Sequence, residues 1–140
     1  MIKCIQVDPD KKSREVTERL IKKAGKLRLA STFGALNKAV SFCKKHNVPI
    51  MFIHLFDFPI PQNKILLLKK IEENGTQIII LSSKITIAGE AFAFNAADFV
   101  MLPTTTRRLW RACIKALKIK DYGIEITDAQ VKNLTTQQSH

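Results

Sequence analysis

Asp8, Asp10 and Asp57 stand just past apolar runs of the chain, and carboxylates gathered at strand ends could hold a divalent ion such as Mg2+ for phosphate chemistry. Asp10 has a second use as a helix N-cap, and Asp57 as a solvated loop residue. His46, His54 and His140 have no mutual spacing that suggests a metal site or a catalytic base with a partner. His54, inside the apolar run PIMFIHL, reads as a hydrogen-bonded core histidine. Cys4, Cys43 and Cys113 are odd in number, widely spaced and embedded in apolar patterns, so buried inert thiols are expected rather than disulfides or a zinc knuckle. The five glycines stand alone, which excludes a glycine-rich phosphate loop. Arg107 and Arg108 fall in the first turn of an expected helix, where a cation opposes the helix dipole by about 0.3 to 1 kcal/mol. Such a placement suggests use against an anionic partner.

The elements that must position these groups alternate strictly. The sequence predicts strands at 2 to 7, 27 to 31, 49 to 55, 77 to 82 and 98 to 102. Between them, Val16, Leu20, Ile21 and Ala24 mark one helix face, and Phe33, Leu36, Ala39, Val40 and Cys43 a second. Ile65, Leu66, Leu68 and Ile71 mark a third, with further helices near 86 to 95 and from 105 to 118. Trp110, at helical spacing with Cys113, Ile114 and Leu117, suits either the core or a dimer contact. Asp10 is placed to cap the first helix, and Gly25 and Asn74-Gly75 to end the first and third. Five βα units in a row imply an α/β fold, a doubly wound parallel sheet between two helical layers. Its working surface would lie beyond the carboxyl ends of the strands.

At 140 residues the chain fits a single domain that buries roughly two-thirds of its unfolded surface. With 46% apolar and 25% charged residues it has the balance of a globular protein, which argues against disorder or a membrane span. The first residues lack the pattern of a secretory signal, so a cytoplasmic location is expected. The net charge of +11 invites nucleic acid, an anionic membrane or an acidic protein. Its cations concentrate on the first and last expected helices, where a solvated outer face is the simpler reading.

IQVDPD after the first strand, Pro59 four positions after Leu55, the pair Ser82-Ser83 after the fourth strand and EAFAFNAADFVMLP at 90 to 103 together carry a resemblance. Over about residues 1 to 118 the chain resembles the receiver domain of response regulators, most of all receivers coupled to LytTR-type DNA-binding domains. The resemblance implies a flavodoxin-like fold, a three-layer five-stranded sheet of strand order 2-1-3-4-5. It places the phosphoacceptor aspartate at Leu55, the second acidic residue at Pro9 and the lysine at Leu102, leaving Asp8, Ser82 and Pro103 as the retained pocket. Phe99 falls at the rotating aromatic of the switch, and its simpler reading is a buried strand residue. A leucine has no atom that attacks a phosphoryl donor. A lysine facing that leucine would cost roughly several kcal/mol, so Leu55 against Leu102 is expected to seal the pocket with apolar contact.

The expected function is therefore that of a degenerate, phosphorylation-independent receiver. It would serve as a non-enzymatic interaction module in two-component signalling or transcriptional regulation, with no cofactor required. Its protein partner or second copy would bind the last helix, strand and helix through Arg107, Arg108, Trp110 and Arg111. The alternatives are a basic nucleic-acid-binding regulator and a small enzyme using Asp8, Asp10 and Asp57 around a metal. Domain boundaries are expected at 1 to 119 for the receiver-like body and 120 to 140 for a tail. In the tail, Thr127-Asp128-Ala129-Gln130 could open a docking helix carrying Val131 and Leu134, or belong to a linker stub.

Overall fold

Side-chain caps decide where the first and last helices begin. The computed structural model describes residues 1–91 and 94–118, so the boundary expected near 119, the 120 to 140 tail and His140 lie outside the described residues. After strand β1 (Ile2–Val7), Asp10 caps helix α1 (Lys11–Lys23) by accepting the Lys12 amide at 3.0 Å. Gly25, at φ +75°, turns the chain out of that helix into β2 (Leu27–Phe33). Helix α2 (Leu36–Lys45), β3 (Ile50–His54), α3 (Gln62–Glu73), β4 (Gln77–Ser82), α4 (Thr86–Ala91), β5 (Asp98–Met101) and α5 (Thr106–Leu117) follow. Thr105 caps α5 by accepting the Arg108 amide at 3.1 Å.

All strand pairs are parallel, in the order β2-β1-β3-β4-β5. Because side chains alternate across a strand, the sheet splits its apolar residues between two cores. Ile2, Cys4, Ile50, Phe52, Ile79, Leu81 and Val100 pack against α1 and α5. Ile5, Val7, Met51, Ile53, Ile78 and Ile80 pack against α2, α3 and α4. β3 is buried along its whole length, as a central strand covered on both faces must be. This is the doubly wound parallel sheet expected from the alternation, in the flavodoxin-like strand order that the resemblance implied.

Three details depart from the sequence pattern. Phe33 ends β2 rather than opening α2. Helix α4 is described over Thr86–Ala91, with 92 and 93 outside the described residues, and Asn95, at φ +56°, stands in a turn rather than in the helix expected to 95. On α1, Val16 is 49% exposed while Thr17 is buried. A polar residue occupies the inward register there because it answers a polar group of the sheet. The three cysteines are all buried and free, and burial pushes the Cys4 thiol up to about 12 despite the nearby charge of Arg28.

Candidate functional site

The carboxyl ends of β1, β3, β4 and β5 meet one edge of the sheet, and register decides what each presents there. His54 of β3 pairs with Leu81 of β4, and the Leu55 amide then donates to the Leu81 carbonyl at 3.1 Å. Leu55 is thus the first residue past β3, alongside Ser82, and its side chain joins the core facing α2, α3 and α4 at 2% exposure. Ser82 is fully buried, and its hydroxyl accepts the Lys84 amide at 3.1 Å, which satisfies the turn after β4. Phe99, on the same sheet face, is half-buried against this core rather than fully buried.

Leu102 points the other way. It is half-buried against the core facing α1 and α5, while Leu55 belongs to the opposite core, so the two leucines do not seal the pocket against each other. The expected contact fails because β3 and β5 residues of opposite parity leave the sheet on opposite faces. Pro103 follows through a cis peptide bond, and Pro9 is exposed in the loop after β1.

Asp57 also stands four residues before a proline, Pro61, but it lies beyond the strand in an exposed loop. Among the described residues its carboxylate meets the ammonium of Lys64, at 3.5 Å. Asp8 is fully buried and turned inward, and Asp10 serves as the α1 cap. Among the described residues no group of three or more His, Cys, Asp or Glu side chains converges where it could hold a metal ion. The candidate trio Asp8, Asp10 and Asp57 is therefore not brought together.

What fills the α1 side of the edge is a buried polar cluster around His54. The ring is 4% exposed; its Nδ1 lies 3.3 Å from Asp8 Oδ2 and 3.2 Å from Ser13 Oγ, and its Nε2 3.1 Å from Thr17 Oγ1. A carboxylate only accepts, so a proton on Nδ1 faces Asp8 and leaves Nε2 to accept from the Thr17 hydroxyl. The Asp8 contact is an electrostatic one, too far off line for a full hydrogen bond, and Asp8 Oδ2 has no hydrogen-bond partner among the described residues. The other oxygen, Oδ1, accepts the Asp10 amide at 2.9 Å, which fixes the loop after β1. Burial lowers the imidazole below its ordinary 6.5, only partly opposed by the charges of Asp8 and Asp10, so the ring is neutral at pH 7.

His54 is thus the hydrogen-bonded core histidine its setting suggested. It also has the acidic partner that sequence spacing did not reveal, since Asp8 is 46 positions away, just past another strand. A usable signal was present: Ser13 and Thr17 put two hydroxyls one helical turn apart on the inner face of α1. Beside this cluster opens a cleft of about 360 Å3, walled by Val16, Leu20, Leu102 and Pro103 and floored by His54 and Thr17. Ser13, Ser83 and Thr104 complete its lining.

On α5 the four candidate partner residues separate. Trp110 is 2% exposed and belongs to the core, so it is not a surface contact. Arg108 turns back onto β5, donating to Asp98 Oδ2 at 2.9 Å and to the Phe99 carbonyl at 3.1 Å. The use for a cation in this first turn is therefore internal. Burial works to raise the Asp98 carboxyl, but the hydrogen bonds from Arg108 and the Phe99 amide, with the charges of Arg108 and Lys115, hold it below its ordinary value. Arg108→Met is expected to lower stability by about 1 to 2 kcal/mol in urea unfolding, the pair being partly solvated. The Asp98 carboxyl should titrate higher in the variant when followed by NMR. Arg107 and Arg111 remain exposed.

No known protein-family model matches the chain, and no curated protein matches it in sequence. Solved structures do match. The response regulatory domain of MrkE from Klebsiella pneumoniae is 18% identical with a TM-score of 0.68, over 84% of this chain and 96% of that one. A chain of the CheX–CheY–BeF3–Mg2+ complex from Borrelia burgdorferi is 17% identical with a TM-score of 0.68, over 85% and 90%. A pilus assembly-related protein from Burkholderia pseudomallei is 18% identical with a TM-score of 0.70, over 82% and 91%. At these identities the likeness fixes the fold, and that fold is the one found in response-regulator receiver domains. Among the described residues no helix is long and apolar enough to cross a membrane.

Proposed function

We propose that this chain is a receiver-fold interaction module of two-component signalling or transcriptional control that works in the cytoplasm without accepting phosphate. One observation carries the reading: the residue past β3 that stands alongside Ser82 is Leu55, buried in the core and without a nucleophilic atom. Leu102 where a receiver would place its lysine, and Pro9 where it would place an acid, support it. The docking surface we assign is that of α4, β5 and α5, where Arg107 and Arg111 are exposed and Met101 is 42% exposed. An acidic protein or a second copy of the chain would suit it, and the CheX–CheY complex shows a receiver-fold neighbour bound to a protein.

Incubation with acetyl phosphate and Mg2+ is expected to leave the intact mass unchanged. Gain of one acid-labile phosphoryl group would overturn the reading, and its loss in Asp57→Asn would assign it to the exposed loop acid.

A second reading rests on α1, where Lys11, Lys12, Arg19, Lys22 and Lys23 are all exposed on a chain of net charge +11. If this face binds nucleic acid, affinity for a DNA duplex falls steeply with added salt. Absence of any complex at low salt removes this reading.

A further inference from the structure

Charge is unevenly spread along the chain. Between Glu18 and Asp57 no acidic residue occurs, while eight lysines and arginines do. That stretch ends α1, forms the edge strand β2 and makes α2, so the fold gathers its cations on the β2 flank of the sheet. Lys3 of β1 is the register partner of Arg28 of β2. Their neighbours Ile2, Cys4 and Leu27 pack under α1 and α5, so by alternation both cations leave the sheet on the α2 side. Two like charges side by side across a strand pair repel. Among the described residues neither meets a carboxylate. Helix α2 brings the exposed Lys44 and Lys45 to the same corner, because its cap, His46, lies just before Ile50, which pairs with Cys4 beside Lys3. Lysines in a last turn answer the helix dipole, but Lys3 and Arg28 end no helix. Glu72 and Glu73 of the neighbouring α3 line a cavity with Phe94 and Asn95 instead. Aromatic rings accompany these cations. Phe33, at the end of β2, lies 5.5 Å from Phe42 of α2, and the Phe42 ring stacks on His46 at 4.3 Å and 28°. His46 is exposed, so the row ends in an imidazole that solvent reaches.

We infer that the flank formed by the start of β1, the edge strand β2 and the end of α2 binds single-stranded nucleic acid, with phosphates against Lys3, Arg28, Lys44 and Lys45 and a base stacked on His46. A group of mutually repelling cations without acids selects a polyanion. The row of rings selects one that carries flat faces, and cations beside aromatic rings are the usual design of single-strand sites. A duplex hides its base faces, and an anionic membrane or an acidic peptide without aromatic residues offers none. Lys11 and Lys12 begin α1 at the opposite edge of the sheet, where the strands end. The site therefore lies apart from that end of α1 and from the α4, β5 and α5 face, and it rests on neither reading given above.

A short fluorescein-labelled oligothymidylate is titrated with the full chain at pH 8 and followed by anisotropy at several salt concentrations. Binding is expected at low salt, with a log–log salt slope near about −2.8, about −0.7 for each of the phosphate contacts. Lys44→Gln made together with Lys45→Gln should flatten the slope by about 1.4, and Arg28→Gln by about 0.7. His46→Ala should weaken binding about fivefold and leave the slope unchanged, as loss of a stacked base requires. Lys11→Gln made together with Lys12→Gln should stay within about twofold of the parent. Inorganic polyphosphate, a DNA duplex and phosphatidylglycerol vesicles, matched in charge, should each displace the probe at least about fivefold less well than unlabelled single strand. Thermal melts verify that every variant remains folded. Absence of binding at low salt, or equal displacement by any of the three competitors, would overturn the site. Loss of binding in the Lys11 and Lys12 variant alone would overturn it too, and would return nucleic acid to the α1 face.

Discussion

Trp110→Ala is expected to lower the free energy of unfolding by about 3 to 5 kcal/mol, the range for truncating a large buried aromatic side chain. The indole is 2% exposed and sits in the core that α1 and α5 form on one side of the sheet. Its neighbours on the same helix face, Leu109, Cys113 and Leu117, are buried in that core too. Alanine would leave a void that these side chains cannot close without moving the helix. Since a domain of this size is stable by only about 5 to 15 kcal/mol, the variant should melt far earlier and approach unfolding at moderate urea. Arg107→Ala and Arg111→Ala, at exposed positions of the same helix, should stay within about 0.5 kcal/mol of the parent. Equilibrium urea unfolding of the three variants separates a core role for Trp110 from a surface one. A Trp110→Ala protein that melts with the parent would return the indole to the partner face.

Strand and helix placement was legible because it depends on periodicity and on turn residues, both local, whereas the strand order was implied only by the resemblance to receiver domains. Strands IKCIQV and QIIILS, the Asp10 cap and the turns at Gly25 and Gly75 stand where the sequence put them. The edge of the sheet was less legible, for a geometric reason. Whether Leu55 meets Leu102 depends on the parity with which two strands reach the same edge, and parity is set by pairing across the sheet rather than by either segment alone. The same holds for His54 and Asp8, which share a face only because β1 and β3 are paired Val7 to Ile53, bringing the next residue of each side by side. Arg108 looked like a cation spent on a partner because its acceptor, Asp98, lies on the preceding strand and acts only once α5 packs back onto β5. Thr17 was missed since a hydroxyl in the inward register is invisible to apolar periodicity.

His54→Phe is expected to cost about 3 kcal/mol, because it removes the imidazole that faces the buried Asp8 carboxylate and leaves the Ser13 and Thr17 hydroxyls without their shared partner. Phenylalanine keeps most of the ring volume, so the loss reports polar pairing rather than a void. Asp8→Asn made together with His54→Phe should recover about 1 kcal/mol or more, because an amide is cheaper than a carboxylate to leave facing an apolar ring. The pH dependence gives an independent check. Burial depresses the His54 imidazole, so between its ordinary 6.5 and the lower folded value the unfolded chain binds more protons than the folded one. Stability is then complete above about pH 6.5 and falls as the pH drops below it, a slope that His54→Phe should lose. The gap between parent and variant therefore narrows in mild acid. Asp98, whose carboxyl is held below its ordinary 3.8, contributes its own loss only at lower pH, as that carboxylate is protonated away from Arg108. Stability measured in urea from pH 7 to pH 5 should show a falling parent and a flatter variant. Parallel slopes for the two would mean that the imidazole ionises in the folded protein as freely as in the unfolded chain, and that His54 is not the polar brace between β1, β3 and α1.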